Sequence, residues 1–422
     1  MKLAIQKFKK REWVQCNMDI LLICNYWHFE FEKRSSRYRT MADILSENED
    51  FEVEVVSSSF RHQTKKQRDL DFINTIQTNY KITLLYEPDY KKNISLKRIY
   101  SHHCLAKKIV KYLNSRKKPD VIICSVPSLA VGSAVTKFAN KHSIKVIIDI
   151  QDLWPEAFKM AINIPVISDI LFSPMMLQAN NIYARADEIM AVSETYVKRG
   201  LSKNKKGCKG LPIYIGTDSK LVENAIEGKC VEKSDNEFWI AYVGALGHSY
   251  DIRSVIDAIY LLKEQGYSNI IFKVMGQGIL LEEFKQYAEE KKVSCDFMGF
   301  LEYGEMMSTL MKCELAVNPI VGNSVASIIN KVSDYAMAAV PVINTQNSEE
   351  YRCLLEKYDC GLNCINGDSE SLVKAVKKLY DSEELRNKMG RNAKKLAEEC
   401  FDRRKTYPLI KNLIYEIGGK SV

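Results

Sequence analysis

Residues 330–344 have the sequence NKVSDYAMAAVPVIN. Lys331 and Asp334, three residues apart, open a predicted helix, and the small apolar turn that follows leads through Pro341 into a short predicted strand. A lysine at a helix N-terminus suits a phosphate group, and a carboxylate suits sugar hydroxyls. The stretch predicts either a nucleotide-sugar site at the start of a helix or a helix with charges in its first turn that only packs against a core strand.

Short apolar segments alternate with segments of helical periodicity on both sides of this stretch. The continuous Val, Ile and Leu content of the apolar segments favours parallel strands that are covered on both faces. We therefore predict an α/β fold of two doubly wound, Rossmann-like domains that face each other across a cleft. The predicted strands lie at 19–24, 51–57, 81–87, 120–125, 145–150, 187–193 and 211–215 in the first half, and at 238–244, 269–276, 293–299, 313–319, 340–344 and 360–364 in the second. The predicted helices of the first half lie at 36–47, 96–115, 128–142 and 194–202.

The same alternation sets the predicted domain boundaries. The first domain spans 1–217, a polar linker without the pattern spans 218–236, the second domain spans 237–400, and a C-terminal helix in 401–422 crosses back to the first domain. Residues 1–17 are basic and lack the apolar core of a signal peptide, so they form a frayed extension or precede a natural start at Met18.

Composition excludes several classes of protein. Of 422 residues, 46% are hydrophobic and 27% charged, and no run of 18 apolar residues predicts a membrane span. The 12 cysteines include no C-x-x-C, which argues against a zinc site or a disulfide framework. Residues 1–206 carry 34 Lys+Arg against 22 Asp+Glu, and the remainder 27 against 31. The basic half predicts an anionic partner such as a bilayer or a phosphorylated lipid, or else a solvated surface with no partner.

Ligands of doubly wound sheets bind at the carboxyl ends of the strands, and the residues that follow each predicted strand are therefore the candidate site. Asp152, three residues after Asp149, either serves a sugar hydroxyl and its proton or caps the helix after Pro155. The glycines after two strands of the second domain either admit a diphosphate or form tight turns. The candidates are Trp27, His28 and Arg37 after the first strand, His62 after the second, Asp152 after the fifth, and Gly244, Gly247 and Gly276 in the second domain.

Two clusters of potential metal ligands occur in the sequence, and neither predicts a metal site. Asp69 and Asp71 form a D-x-D motif, but in a charged helical segment instead of at a strand end. His102, His103 and Cys104 have no second cluster, so helix-surface histidines explain them better. We expect neither a metal nor another cofactor.

Seven motifs resemble those of one family in the same order along the chain. NKVSDYAMAAVPVI resembles the donor-site signature of the family 4 (group 1) retaining glycosyltransferases, which have the GT-B fold. SSSFRHQTKKQRD and EPDYKKNISLKR resemble segments of the bacterial capsule and O-antigen enzymes of that family. The six motifs that, with NKVSDYAMAAVPVI, complete the set of seven are DIQDLWPE, VSETY, YIGTD, YVGALG, VMGQG and FMGFL.

The resemblance implies roles for the donor residues. It places the diphosphate on Lys331, the ribose on Asp334, and the base on Gly299 and Phe300. The phosphates would also bind the backbone of Gly244 and Gly247, and the remaining donor-site residues would be Arg253, Gly276 and Tyr335. The chain departs from the family at Ala326, where many members have a glutamate, and at Ala245 and Asp251, where an Arg and a Lys are frequent.

The resemblance also implies the reaction. The chain is expected to be a hexosyltransferase that moves a sugar, UDP-linked, to a lipid-linked saccharide of capsule or O-antigen biosynthesis with retained configuration and without a metal. Lys331 would stabilise the leaving phosphate, which would itself deprotonate the acceptor hydroxyl, and Asp152 would orient the sugar or the acceptor. The first domain would bind the acceptor through Trp27, His28, Arg37 and His62, and the second would bind the nucleotide-sugar. A sugar-nucleotide epimerase and a non-catalytic binding subunit of a glycosyltransferase complex are the alternatives.

The expected location is the cytoplasm, at the inner face of the cell membrane, with no nucleic acid as partner. The segment 160–179 is too interrupted to span a bilayer, and it either lies in the membrane surface or covers the core of the first domain. Five basic residues would hold the protein on anionic lipid: Lys65, Lys66, Arg68, Lys91 and Lys92.

Overall fold

The chain forms two compact units. A computed structural model describes residues 4–5 by their backbone, and residues 17–32, 36–161, 167–322 and 328–419. One unit comprises Met1–Ile213 with Tyr407–Val422, and the other comprises Tyr214–Thr406. Most of the predicted extension 1–17, Ala326 and part of the segment 160–179 lie outside the described residues.

The strands follow the predicted alternation except for β1, β4 and β5, which were not predicted; β1 lies within the expected extension 1–17 and pairs with β6. In chain order they are β1 (Ala4–Ile5), β2 (Met18–Ile23), β3 (Phe51–Ser58), β4 (Phe60–Arg61), β5 (Lys66–Gln67), β6 (Lys81–Leu85), β7 (Val121–Val126), β8 (Lys145–Ile150), β9 (Glu188–Ala191), β10 (Leu211–Pro212), β11 (Phe238–Val243), β12 (Ile270–Met275), β13 (Cys295–Gly299), β14 (Leu315–Asn318), β15 (Val342–Asn344) and β16 (Gly361–Asn363).

Helices connect these strands. They are α1 (Arg37–Ser46), α2 (Leu70–Ile73), α3 (Leu96–Ser115), α4 (Leu129–Lys141), α5 (Glu156–Ala161), α6 (Ile167–Arg185), α7 (Glu194–Leu201), α8 (Ser219–Ile226), α9 (Ile252–Glu264), α10 (Leu281–Glu290), α11 (Tyr303–Leu310), α12 (Lys331–Met337), α13 (Glu349–Tyr358), α14 (Ser369–Tyr380), α15 (Glu383–Leu396), α16 (Arg403–Thr406) and α17 (Pro408–Gly418), with a 3-10 turn at Glu30–Glu32 and a π-helix at Ala397–Phe401. None of the described helices is both long and apolar enough to cross a membrane.

Each unit is built on one doubly wound sheet, which confirms the predicted fold class. The strand order is β1-β6-β3-β2-β7-β8-β9-β10 in the first unit and β13-β12-β11-β14-β15-β16 in the second. Within these two sheets all pairs are parallel except β1 with β6. β4 and β5 form a separate antiparallel pair. The strand order reverses direction between β2 and β7 in one sheet and between β11 and β14 in the other. These switch points are where such folds bind ligands.

Burial on both faces explains the apolar strands. In β11, Ile240 and Tyr242 pack into one apolar cluster, with helices α9 and α14, while Trp239 and Ala241 pack into another, with α11 and α12. Because alternate residues of a strand point to opposite faces, both clusters require apolar side chains.

Two segments bear on the predicted domain limits. Within the predicted linker, Ser219–Ile226 forms α8, which Asp218 caps by accepting hydrogen bonds from the N–H groups of Lys220 and Leu221. The final helix, Pro408–Gly418, belongs to the first unit, where Ile410 and Ile414 enter the core.

Candidate functional site

The switch point of the second unit is lined by a glycine loop. Gly244 follows β11 with a φ of 142°, a backbone conformation that favours glycine. A Cβ on Gly276 would lie 1.7 Å from the carbonyl oxygen of Gly244, so only glycine lets the loops after β11 and β12 touch. Around Gly247 a Cβ would meet nothing within 4 Å, and the backbone there is open to a ligand.

Lys331 is buried beside this loop without a polar partner. Its Nζ lies 4.1 Å from the ring centroids of both Tyr242 and Tyr250, and it has no hydrogen-bond partner among the described residues. A Cβ on Gly244 would lie 3.3 Å from that Nζ, so the amine and the loop border the same space. The sequence predicted Lys331 but not its two tyrosines, although Tyr242 lies only two residues before Gly244 in the chain.

Burial lowers the pKa of Lys331 well below that of an exposed lysine. Since no carboxylate forms an ion pair with it in the described part of the chain, only the two aromatic rings favour the charged amine. An anion placed at the loop would restore the charge and raise this pKa.

Asp334 lies one turn further along α12. Its Oδ1 accepts hydrogen bonds of 2.9 Å from the hydroxyls of Thr217 and Tyr303. The described residues donate no hydrogen bond to its Oδ2. Burial raises the pKa of Asp334 to about 6. The carboxyl group is thus oriented through one oxygen and has the other free for a hydroxyl-bearing ligand.

Tyr335, a predicted donor residue, is instead fully buried in the sheet. Its hydroxyl accepts a hydrogen bond from the N–H of Val243 (2.9 Å) and donates one to the carbonyl oxygen of Val317 (3.2 Å). It therefore ties β11 to β14 at the switch point and does not face a ligand.

The other predicted donor residues lie on the surface. Phe300 is exposed and follows Gly299, whose Cβ position is 3.7 Å from Nε2 of Gln277. Arg253 forms an exposed ion pair of 2.7 Å with Glu283. None of the contacts of Arg253 involves the tyrosines around Lys331.

The carboxyl edge of the first sheet carries a second cluster of polar and aromatic residues. His62 Nδ1 lies 2.6 Å from the hydroxyl of Tyr90, and its ring centroid is 5.0 Å from that of Tyr26. The Arg98 guanidinium donates to the Tyr26 hydroxyl over 2.6 Å. Residues that follow β2, β3 and β6 therefore meet at this edge.

Residues after β8 join the same cluster. The Arg98 guanidinium lies 4.7 Å from the ring centroid of Trp154, and the His102 ring stacks on that indole at 6.2 Å. The indole Nε1 donates to Oδ2 of Asp152 over 3.1 Å. Sequence reasoning selected Asp152 and His62 but not Arg98, and it placed His102 on the helix surface. In the structure His102 is buried, because it lies four residues after Arg98 and both side chains therefore lie on the inner face of α3.

Burial favours the neutral forms of His62, His102 and Asp152 in this cluster. Burial lowers the pKa of His62 to about 4 and that of His102 to about 3, and the nearby Arg98 lowers both further. Burial also raises the pKa of Asp152. Arg98 forms no ion pair with a carboxylate among the described residues. The edge combines these hydrogen-bonding groups with the cations of Arg98 and Lys65, and the Lys65 Nζ lies 3.2 Å from Nδ1 of His62.

The structure places the remaining predicted acceptor residues differently. Trp27 is buried in the core, and Arg37 is buried against Asp149, with 3.0 Å between Nε and Oδ2. His28 lies at the edge, where its Nε2 is 3.1 Å from Nε2 of Gln63. Burial and internal pairing keep Trp27 and Arg37 from a ligand, and the structure brings only His28, His62 and Asp152 to the edge.

The D-x-D motif has a local structural role. Oδ1 of Asp69 accepts hydrogen bonds from the N–H groups of Asp71 and Phe72 and so caps α2. Across the described ranges, no group of three or more His, Cys, Asp or Glu side chains is arranged to hold a metal ion.

Known proteins resemble both the sequence and the fold. Residues 227–396 match the model of the family described as glycosyl transferases group 1. An uncharacterized glycosyltransferase from Methanocaldococcus jannaschii is 25% identical over 311 residues, which cover 66% of this chain and 81% of the relative.

Two solved structures share the fold at low identity. Anabaena HepE, solved in complex with UDP, has a TM-score of 0.64 at 14% identity and covers 94% of this chain and 100% of its own. A putative UDP-N-acetylglucosamine 2-epimerase from Listeria monocytogenes has a TM-score of 0.60 at 13% identity and covers 96% of this chain and 98% of its own. The chain has the GT-B fold of two Rossmann-like domains, and its family match and relative support a group 1 glycosyltransferase.

Proposed function

We propose that the chain is a retaining hexosyltransferase. It moves a sugar from a UDP-linked donor to a lipid-linked saccharide during synthesis of a bacterial surface polysaccharide, at the cytoplasmic face of the membrane. The observation that carries this proposal is the buried amine of Lys331, which has no hydrogen-bond partner in the described part of the chain, beside the open glycine loop after β11. An unpaired buried cation is unfavourable unless an anion completes the site, and a diphosphate is such an anion.

Lys331 and Asp334 would bind different parts of the donor. The amine of Lys331 and the N–H groups of the Gly244–Gly247 loop would hold the diphosphate, while the free oxygen of Asp334 would accept a ribose hydroxyl. Anabaena HepE, which has the same fold, was solved in complex with UDP, which supports this donor class. Charge that builds on the leaving phosphate would then be stabilised by Lys331, without a need for a metal.

The acceptor would bind the cluster of polar and aromatic residues at the carboxyl edge of the first sheet, which we call the polar edge. Asp152, His28 and His62 can exchange hydrogen bonds with sugar hydroxyls, and Arg98 adds the cation that an acceptor phosphate would pair with. Trp27 and Arg37 are left out because they are buried in the core. With retention of configuration, the departing phosphate would take the proton of the attacking hydroxyl on the same face of the sugar, while Asp152 orients the substrate.

A panel of UDP-, GDP- and dTDP-sugars tests the proposal. Native protein should release a nucleoside diphosphate from a UDP-sugar, and product analysis should find the donor's anomeric configuration retained. Lys331→Met should lower the rate about tenfold or more, because a charge-assisted contact to phosphate is lost. Lys273→Met is the matched control: Lys273 also lies on a ring, that of Trp239, but is paired with Asp296. Equal rates for Lys331→Met and native protein would contradict the proposal.

The epimerase remains a second candidate, because a putative epimerase from Listeria shares the fold. An epimerase would change the sugar of a UDP-linked donor with no acceptor present. Chromatography of the nucleotide-sugar after incubation without acceptor separates the two functions. Tight donor binding with neither reaction would indicate a binding subunit.

A further inference from the structure

One segment of the first unit is basic throughout. Residues 90–119 contain ten Lys and Arg and no Asp or Glu, and five of the ten lie in helix α3. This segment supplies most of the positive excess of the N-terminal half. Among its lysines, Lys97, Lys107 and Lys111 are exposed. The charge is therefore concentrated along one helix and its approach.

The start of the same helix exposes large apolar side chains. Ile94, Leu96, Ile99 and Tyr100 are 65%, 84%, 48% and 66% exposed. The last three share one face of the first helical turn, and Lys107 and Lys111 continue that face toward the C-terminus of α3. We call these six residues the α3 surface: Ile94, Leu96, Ile99, Tyr100, Lys107 and Lys111.

We propose that the α3 surface docks on an anionic lipid bilayer. Aliphatic side chains at one end can enter the interfacial region, and the lysines along the helix can contact acidic headgroups, since lysine stems lie along apolar surface while their amines stay in water. A nucleic acid would use the lysines but would leave Ile94, Leu96 and Ile99 in water. The combination of charge and aliphatic side chains therefore fits a bilayer better than a polyanion.

The position of Arg98 connects the α3 surface to the polar edge. Arg98 lies in the same helical turn as the exposed apolar residues, but it points inward to Tyr26 and Trp154 at the polar edge. A bilayer on the α3 surface would thus lie close to that edge. This last step rests on the proposed function, in which the edge binds a lipid-linked acceptor, whereas the docking itself does not depend on it.

Helix α6 offers a contrasting surface. Ile170, Leu171 and Leu177 are 70%, 60% and 64% exposed, but residues 160–184 contain no Lys or Arg. The second half of α6 is packed, with Ile182 and Tyr183 buried. Membrane binding through α6 would be insensitive to salt and to lipid charge, in contrast to binding through α3.

Sedimentation of the full-length protein with vesicles tests the proposal. Vesicles of phosphatidylcholine, with and without phosphatidylglycerol, are used at low and high salt, and a duplex DNA is a separate arm. Binding should require phosphatidylglycerol and fall steeply with salt. Lys107→Gln with Lys111→Gln should weaken it about 25-fold, since one lysine near an anionic surface contributes about fivefold. Leu96→Ser with Ile99→Ser should weaken it about tenfold or more.

Leu171→Ser with Leu177→Ser is the matched control, because it removes two equally exposed apolar residues from α6, and its binding should equal that of the native protein. All three double variants alter exposed side chains, and unchanged circular dichroism and UDP affinity would show that fold and donor site persist. Three results would overturn the proposal. They are loss of vesicle binding in the α6 variant alone, binding to neutral vesicles equal to that to anionic ones, and binding to DNA without binding to vesicles. Since no sugar transfer is measured, its failure is distinct from failure of the proposed function.

Discussion

Arg37 in the first unit and Lys331 in the second are both buried, and they differ in how their charge is paired. In the first unit, Arg37 is held by both oxygens of Asp149, at 3.0 Å and 3.1 Å, and its Nη1 donates to the carbonyl oxygen of Ile213 over 2.7 Å. In the second unit, the Lys331 amine lies over the rings of Tyr242 and Tyr250, and the described residues offer it no hydrogen bond. A paired buried cation supports the fold, whereas an unpaired one costs stability and is ready for an external anion. The pairing of a buried charge, more than its burial, thus separates a structural residue from a candidate ligand residue.

The largest expected effect is a loss of stability on substituting Arg37, the paired cation of this comparison. Arg37→Met should destabilise the protein by about 3 to 5 kcal/mol, because it leaves Asp149 buried without its partner. Urea unfolding followed by circular dichroism measures the change. Lys388→Met, which breaks an exposed pair with Asp359, should cost at most about 1 kcal/mol and serves as the control. A loss at Arg37 no larger than at Lys388 would remove the distinction.

The second prediction concerns the carboxyl group of Asp334, one helical turn after Lys331 in α12. Asp334 has a pKa raised by burial to about 6, so the native state holds its proton more tightly than the unfolded chain does. The stability from this group is present below about pH 4 and is lost as pH rises through about 6. Asp334→Asn keeps an acceptor for Thr217 and Tyr303 but cannot ionise.

The Asn variant should therefore match the native protein near pH 4 and exceed its stability by about 3 kcal/mol at pH 7 to 8. Urea unfolding across this pH range gives the difference. The same variant should bind uridine more weakly at pH 7, since a charged acceptor for the ribose is gone. A stability difference that stays constant with pH would contradict the assignment.

A third prediction concerns proton uptake at Lys331. Because burial lowers the pKa of Lys331 and a bound diphosphate should raise it again, donor binding is expected to be coupled to proton uptake at this amine. UDP affinity should rise as pH falls towards the pKa of the free amine, by up to about 1.4 kcal/mol per pH unit, and should level off below that pKa. Calorimetry in buffers of different ionisation enthalpy should detect proton uptake with UDP but not with uridine. Uptake that persists in Lys331→Met would assign the proton to another group.

The smallest expected effect tests the absence of a metal role. Asp69→Ala should cost about 1 kcal/mol, the value of a helix N-cap, and should leave sugar transfer unchanged. Transfer by the native protein should also persist in excess chelator. Activity lost with chelator and restored by manganese or magnesium would show that the diphosphate needs more charge than Lys331 supplies.

The sequence predicted local features better than long-range partners. Helix α3 begins and ends where its periodicity indicated, and the strands that were predicted agree to within a few residues, because each depends on neighbouring side chains. The two-residue strands β1, β4 and β5 were missed, because they are too short to show a periodicity. The pairing of Arg37 with Asp149 spans 112 residues of sequence, and nothing near either residue indicates it. The aromatic contacts of Lys331 depend likewise on strands that meet only in the folded sheet, so the sequence could select Lys331 but not Tyr250.

The most direct test of the account compares Lys331→Met with native protein in two measurements on the same sample. We predict unchanged or slightly higher stability in urea, because an unpaired buried charge is removed, together with UDP affinity about 10- to 100-fold lower by calorimetry, because a charge-assisted contact is lost. Reduced stability with unchanged UDP affinity would contradict the central claim, since Lys331 would then be a structural cation like Arg37.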